Sequence, residues 1–269
     1  MNQGLILRAL RESWSTSALF GSALLIAEAA ISFVLPRLQD RLVQAWANLP
    51  IAQSFVKAMV GVDVSGGIGP EIFNAIPWVH PVILAILWAH AIVFCTRVPS
   101  GETDRGTIDI LLSLPVTRWG VHTSETAAWA ISAALLLALV TAGNLIGCAL
   151  AGVPWHPGRI AIVLVNLAAL YAAVGAIAWL FSALSDRRGR AMSAAFIVVV
   201  VSFLLNYLSQ FWEPLQRFEF LSLLKYYQPL RELGDGAWRW HDIAVLTGTA
   251  AVFWALAGVI SARRDLTTT

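Results

Sequence analysis

The chain has 269 residues, of which 58% are hydrophobic and 13% charged; ordinary soluble domains run at about 45–50% and about 25%. Its 18 Lys and Arg against 16 Asp and Glu leave a formal net charge of +2. So much apolar surface with so few charges to cover it excludes a water-soluble globule and a disordered chain, and the near-balance of charge excludes a nucleic-acid-binding domain.

Lipid is therefore the expected solvent, and stretches of about 20 apolar residues are the lengths that cross about 30 Å of hydrocarbon as helices. After an amphipathic start over Met1 to Trp14 with no convincing cleavage site, six such stretches follow: Ser13 to Pro36, Pro77 to Thr96, Thr126 to Leu150, Ile160 to Leu184, Ala191 to Trp212 and Ile243 to Ala262. They lack the polar–apolar alternation of barrel strands, so the expected fold is an all-α integral membrane protein with six transmembrane helices in a single domain, 1–269. Trp14, Trp78, Trp119, Trp155, Trp212, Trp238 and Trp240 fall where these runs meet water, as amphipathic rings do.

Three arginines lie in the six-residue link Ser185 to Arg190, and a short basic link belongs on the cytoplasmic side. Six spans then place both termini in the cytoplasm of a multi-pass cell-membrane protein, a bacterial inner membrane being the expected one. Outside, residues 37–76 read as an amphipathic segment, with Leu38, Leu42, Val43, Trp46 and Leu49 at helical spacing, a break at Pro50 and a glycine-rich link over Ser65 to Pro70. Residues 213–242, containing Tyr226-Tyr227-Gln228-Pro229, read as a packed external hairpin. Inside, residues 97–123 carry a short amphipathic helix: Thr107 caps it, Ile108, Leu111 and Leu112 share a face, and Pro115 stops it. Such a helix either ties two spans together or presents a face to a soluble partner, and the pattern leaves both open.

Chemistry is sparse. No G-x-x-x-x-G-K-[ST] phosphate loop occurs, no catalytic pair converges, and His80, His122, His156 and His241 are too dispersed for a metal site. Glu28, near the middle of the first span, either lines a cavity with a pH-sensitive step or is a protonated group bonded between helices. His90 reads as a packing histidine, because neither a histidine nor a carboxylate stands at i+4. Asn144 and Asn166 are candidate hydrogen-bonding groups across the bundle or toward a substrate, and Gly143-x-x-x-Gly147 permits close helix approach. Cys95 and Cys148, near opposite faces, are expected to be packed thiols.

The stretch Glu102-x-Asp104-Arg105-Gly106-Thr107-x-Asp109-x-Leu111-Leu112-Ser113-x-Pro115-Val116-Thr117-Arg118 resembles the signature of type-2 permeases of ATP-binding cassette transporters. Leu49-Pro50, Asp63-Val64-Ser65, Tyr226-Tyr227-x-Pro229 and the closing Arg263-Arg264-Asp265-Leu266 add to the likeness. The resemblance implies that residues 1–16 form a cytoplasmic elbow helix and that the 97–123 segment holds a coupling helix seated on a separate ATPase subunit. Glu102, Asp104, Arg105, Gly106, Thr107, Asp109 and Arg118 would lie at or beside that contact. It further implies a second permease copy or a homologous permease, surrounding membrane lipids, and ATP with Mg on the ATPase partner, this chain holding no cofactor. Export of a hydrophobic or amphiphilic substrate is the implied activity; a non-transporting mechanical or sensory scaffold and an intramembrane enzyme are the alternatives. One departure is visible: relatives often carry Gly-Lys at the foot of the third span, where this chain has Ser124-Glu125.

Overall fold

A computed structural model describes residues 2–47 and 70–264, with side chains over 2–38 and 74–264. The landmarks Leu49-Pro50, Asp63 to Ser65 and Asp265-Leu266 lie outside the described residues, as do the side chains of Leu42, Val43 and Trp46. Among the described residues there is no strand. The α-helices of five residues or more among the described residues are α1 (Gln3–Ala47), α2 (Pro70–Val79), α3 (Pro81–Cys95), α4 (Ile108–Leu112), α5 (Arg118–Ala151), α6 (Pro157–Leu184), α7 (Arg188–Leu208), α8 (Pro229–Asp235) and α9 (Trp240–Arg263). Six stretches are long and apolar enough to cross a membrane: Gln3–Leu38, Asn74–Cys95, Arg118–Ala151, Pro157–Leu184, Arg188–Leu208 and Trp240–Arg263.

Helix ends follow local chemistry. His80 interrupts the second span, its ring nitrogen accepting from the Val82 amide at 3.3 Å ahead of Pro81. The Thr117 hydroxyl accepts from the Gly120 amide and starts α5, and Gly152, at φ +72°, closes it in the left-handed conformation that glycine adopts without penalty. No proline falls between residues 3 and 16, and the amphipathic start expected as an elbow over 1–16 continues without a break into the first span. Leu5, Ala9, Ser13 and Ser17 are its buried side.

α1 runs parallel to α5 along nearly its full length, from Asn2 donating to Ser124 at one end to Arg37 reaching the Leu150 carbonyl at the other. Gly143 and Gly147 set the spacing: a Cβ on either would lie 2.6 Å from the Leu25 or Ala29 carbonyl oxygen. The G-x-x-x-G row thus serves packing inside the chain. α6 is the central post, with 72% of its apolar window buried against 22% for α1, α7 and α9. Leu19, Ile26, Ile131, Phe196 and Val252 are each more than half exposed, a surface that only a hydrocarbon solvent tolerates. Both ends of the chain's described part lie at the end of the bundle that carries Arg97, and the 213–242 hairpin packs at the opposite end.

Candidate functional site

Below α3 the chain turns under the bundle and is anchored before it reaches α4. The Ser100 amide and hydroxyl lie 3.2 and 3.0 Å from the Ser182 hydroxyl on α6, and Arg188 on α7 donates to the Val93 carbonyl at 2.8 Å. Gly106, at φ +71°, makes the left-handed turn into α4. Ile108 and Leu111 face inward against Leu5, Val98 and Val121, while Ile110 on α4 and Leu114 just past its end are 69% and 46% exposed. Asp104, Arg105, Gly106 and Asp109 are exposed around them. Four of the seven predicted residues are therefore exposed.

The other predicted residues sit elsewhere. Glu102, expected at a partner contact, is only 1% exposed: its carboxylate accepts from Arg8 at 2.9 Å, from Arg105 at 2.8 Å and from the Thr107 hydroxyl. Thr107 occupies the capping position, but its hydroxyl is spent on Glu102 rather than on an amide of α4. Arg118 is half-buried and donates to the carbonyls of Ser261 and Arg264, tying the start of α5 to the end of α9. Arg264 in turn reaches the Ala183 carbonyl at 2.8 Å and the Asp186 carboxylate at 2.6 Å.

The residue that organises this end is Arg97, which the sequence reading missed. It is buried, donating to Glu12 at 2.7 Å and to the Ala9 carbonyl on α1, and to Glu125 at 2.5 Å on α5. Arg8 bridges Glu12 at 2.6 Å to Glu102, so a chain of ion pairs runs from the α4 segment through α1 to α5. Breaking a buried pair of this kind by removing one partner costs about 3–5 kcal/mol, whereas exposed pairs contribute about 0–1 kcal/mol. Glu125 is the carboxylate that replaces the Gly-Lys foot, so the departure from the family's pattern was the signal: a buried negative charge needs a counter-charge, and Arg97 supplies it.

The four intramembrane candidates do not gather round one cavity. Glu28 and Asn144 meet: the amide donates to Glu28 Oε1 and to Ser32 Oγ, each at 3.0 Å, and accepts from the Trp155 indole at 3.1 Å. Asn144 also lines a small crevice of about 40 Å³ that includes Trp155, Arg159 and Leu233, while Glu28 is fully buried between α1 and α5. His90 lies apart, fully buried, with one ring nitrogen 3.2 and 3.3 Å from the hydroxyls of Ser17 and Ser132 and the other on Tyr171, joining four spans. Asn166 donates to the Tyr226 carbonyl at 3.1 Å and to the carboxylate of Glu232 on α8, pinning the hairpin to α6.

Glu232 is the hairpin's buried charge. Burial pushes its carboxyl up to about 7, partly offset by the Asn166 amide and Arg239 and reinforced by Asp242. The neighbouring Tyr227 hydroxyl, which donates to the Trp78 carbonyl at 3.0 Å, is pushed up by burial and by Glu232. The segment 213–242 is thus held by specific bonds to α6 and to the start of the second span.

Six helices long and apolar enough to cross a membrane, with a lipid-facing apolar surface, make this a multi-pass membrane protein. The family model described as ABC-2 family transporter protein matches residues 15–266. The chain belongs to that family and is a type-2 ABC transporter permease. Comparison with curated proteins and with solved structures found no match.

Proposed function

We propose that this permease exports a hydrophobic or amphiphilic molecule, driven by a separate ATPase subunit that seats on the exposed face of α4. The observation that carries the reading is the exposure of Ile110 on α4 and of Leu114 just past its end, in a segment whose Ile108 and Leu111 are locked into the bundle. Ringed by Asp104, Arg105 and Asp109, this face has the apolar centre and polar rim of a docking surface. A second permease, identical or homologous, would complete the transporter, with ATP and Mg held by the ATPase subunits.

In this reading the ionic chain transmits the motion. A partner that shifts α4 pulls on Glu102 and hence on Arg8, Glu12, Arg97 and Glu125, so α1 and α5 move together. Differential contact of the partner with two states of this end then biases the bundle between them. The test is co-expression with the ATPase subunit and measurement of its activity in the reconstituted complex. Ile110→Asp with Leu114→Asp is expected to abolish co-purification and stimulation while the permease itself stays folded. Full stimulation in that double variant would refute the docking surface.

A further inference from the structure

A cavity of about 510 Å³ lies between α6, α7 and α9, under the hairpin. Its walls include Phe181, Val198, Val201, Val245 and Phe253, and Phe220, Leu221 and Leu223 form the roof. Along α7 the lining runs from Ile197 to Leu205; eight residues of helix rise about 12 Å, close to the depth of one leaflet of a hydrocarbon core about 30 Å thick. Val198 and Val201 are 37% and 54% exposed at its open side, so it opens onto lipid.

The chemistry of the lining narrows the occupant. No charged side chain lines the cavity, and its four hydroxyls are all occupied within the protein. Ser222 donates to the Ser202 carbonyl at 2.8 Å, Ser202 accepts from the Leu223 amide at 2.8 Å, Thr249 donates to the Val245 carbonyl at 2.7 Å, and Tyr226 donates to the Phe220 carbonyl at 3.0 Å. A polar ligand would lose its hydrogen bonds to water and gain few here, which disfavours it. A helix about 10–12 Å across would fit for about one turn, so the cavity is too small for a span of a second copy. The charged residues of the roof segment, Lys225 and Glu219, pair with each other at 3.3 Å and neither lines the cavity.

We propose that this cavity is a lipid site: one acyl chain of a membrane phospholipid fills the groove from the leaflet beneath the hairpin. The site needs no ATPase, so it stands or falls separately from the export reading. The test uses the purified permease in nanodiscs containing a phospholipid with a photoactivatable diazirine midway along one chain, the adducts being mapped by mass spectrometry. Adducts are expected to concentrate on Val198, Val201 and Val245. Val201→Phe and Val245→Phe, which fill the groove, should each cut them at least five-fold and leave adducts on the outward Leu19 and Ile26 unchanged. Leu205→Ala, which enlarges the groove, should raise them. Equal labelling of the groove and of Leu19 in all variants would overturn the proposal, as would efficient disulfide cross-linking of two copies through Val198→Cys.

Discussion

The seam between α1 and α5 gives the sharpest quantitative test. A methyl added at Gly147 would lie 2.6 Å from both the Ala29 carbonyl oxygen and the Ser32 Cβ, and one at Gly143 would lie 2.6 Å from the Leu25 carbonyl oxygen. Ordinary contact begins at 3.4 Å, so the helices must part locally by about 0.8 Å. A gap of that size forfeits about a quarter to a half of each contact's attraction, and each is worth about 0.1–0.2 kcal/mol, so a side chain's worth of contacts loses about 2 kcal/mol. Against this, Gly→Ala inside a helix gains about 0.5–1 kcal/mol of intrinsic propensity. The net for Gly147→Ala is a loss of about 1–2 kcal/mol. Gly248, inside α9, meets nothing within 4 Å of an added Cβ, so Gly248→Ala is expected to be neutral or stabilising. Thermal unfolding of the two variants in the same detergent reads the difference. If Gly147→Ala is as stable as Gly248→Ala, the close approach that organises this half of the bundle is not there.

Four other expectations follow from the same geometry. Arg97→Ala strands Glu125 in the buried end and should cost about 3–5 kcal/mol in detergent unfolding, and Arg97→Lys should restore only part of that because an ammonium lacks the planar fork that reaches Glu12 and Glu125 together. Glu232 binds its proton more tightly folded, with its carboxyl near 7, than unfolded near 4.5, so its contribution to stability is complete below about pH 4.5 and is lost as pH rises through 7. The change approaches about 3 kcal/mol, and a pH series of unfolding midpoints should show it vanish in Glu232→Gln. Glu28→Gln keeps the oxygen that Asn144 and Ser32 bond, so its unfolding midpoint should shift by less than the equivalent of about 1 kcal/mol, whereas Asn144→Leu, which removes bonds to Glu28, Ser32 and Trp155, should be clearly destabilised. Arg105→Glu should weaken assembly with the ATPase subunit less than the Ile110 and Leu114 double variant does, since a rim charge contributes mainly to encounter, and a titration of ATPase stimulation separates them.

What the sequence determined by itself was the solvent, the number of spans and the place of the α4 segment. An excess of apolar residues admits only a bilayer, and in a bilayer the backbone must satisfy itself as helix, so hydropathy alone locates the six spans to within a few residues at most of their ends. The Gly-Thr turn, the apolar face of α4 and its proline stop are local features, written in adjacent residues. The tertiary structure decided which polar groups face inward and with whom. Glu102 carries a signature position but points into the bundle because Arg8, 94 residues earlier, waits there for its charge. Arg97 at the end of α3 is matched by Glu12 and Glu125 only once α1 and α5 lie side by side, and Asn166 finds Glu232 only when the hairpin folds back over α6. Periodicity is set by neighbours along a helix, but a buried charge is satisfied by a partner that only the packing of distant helices brings within reach.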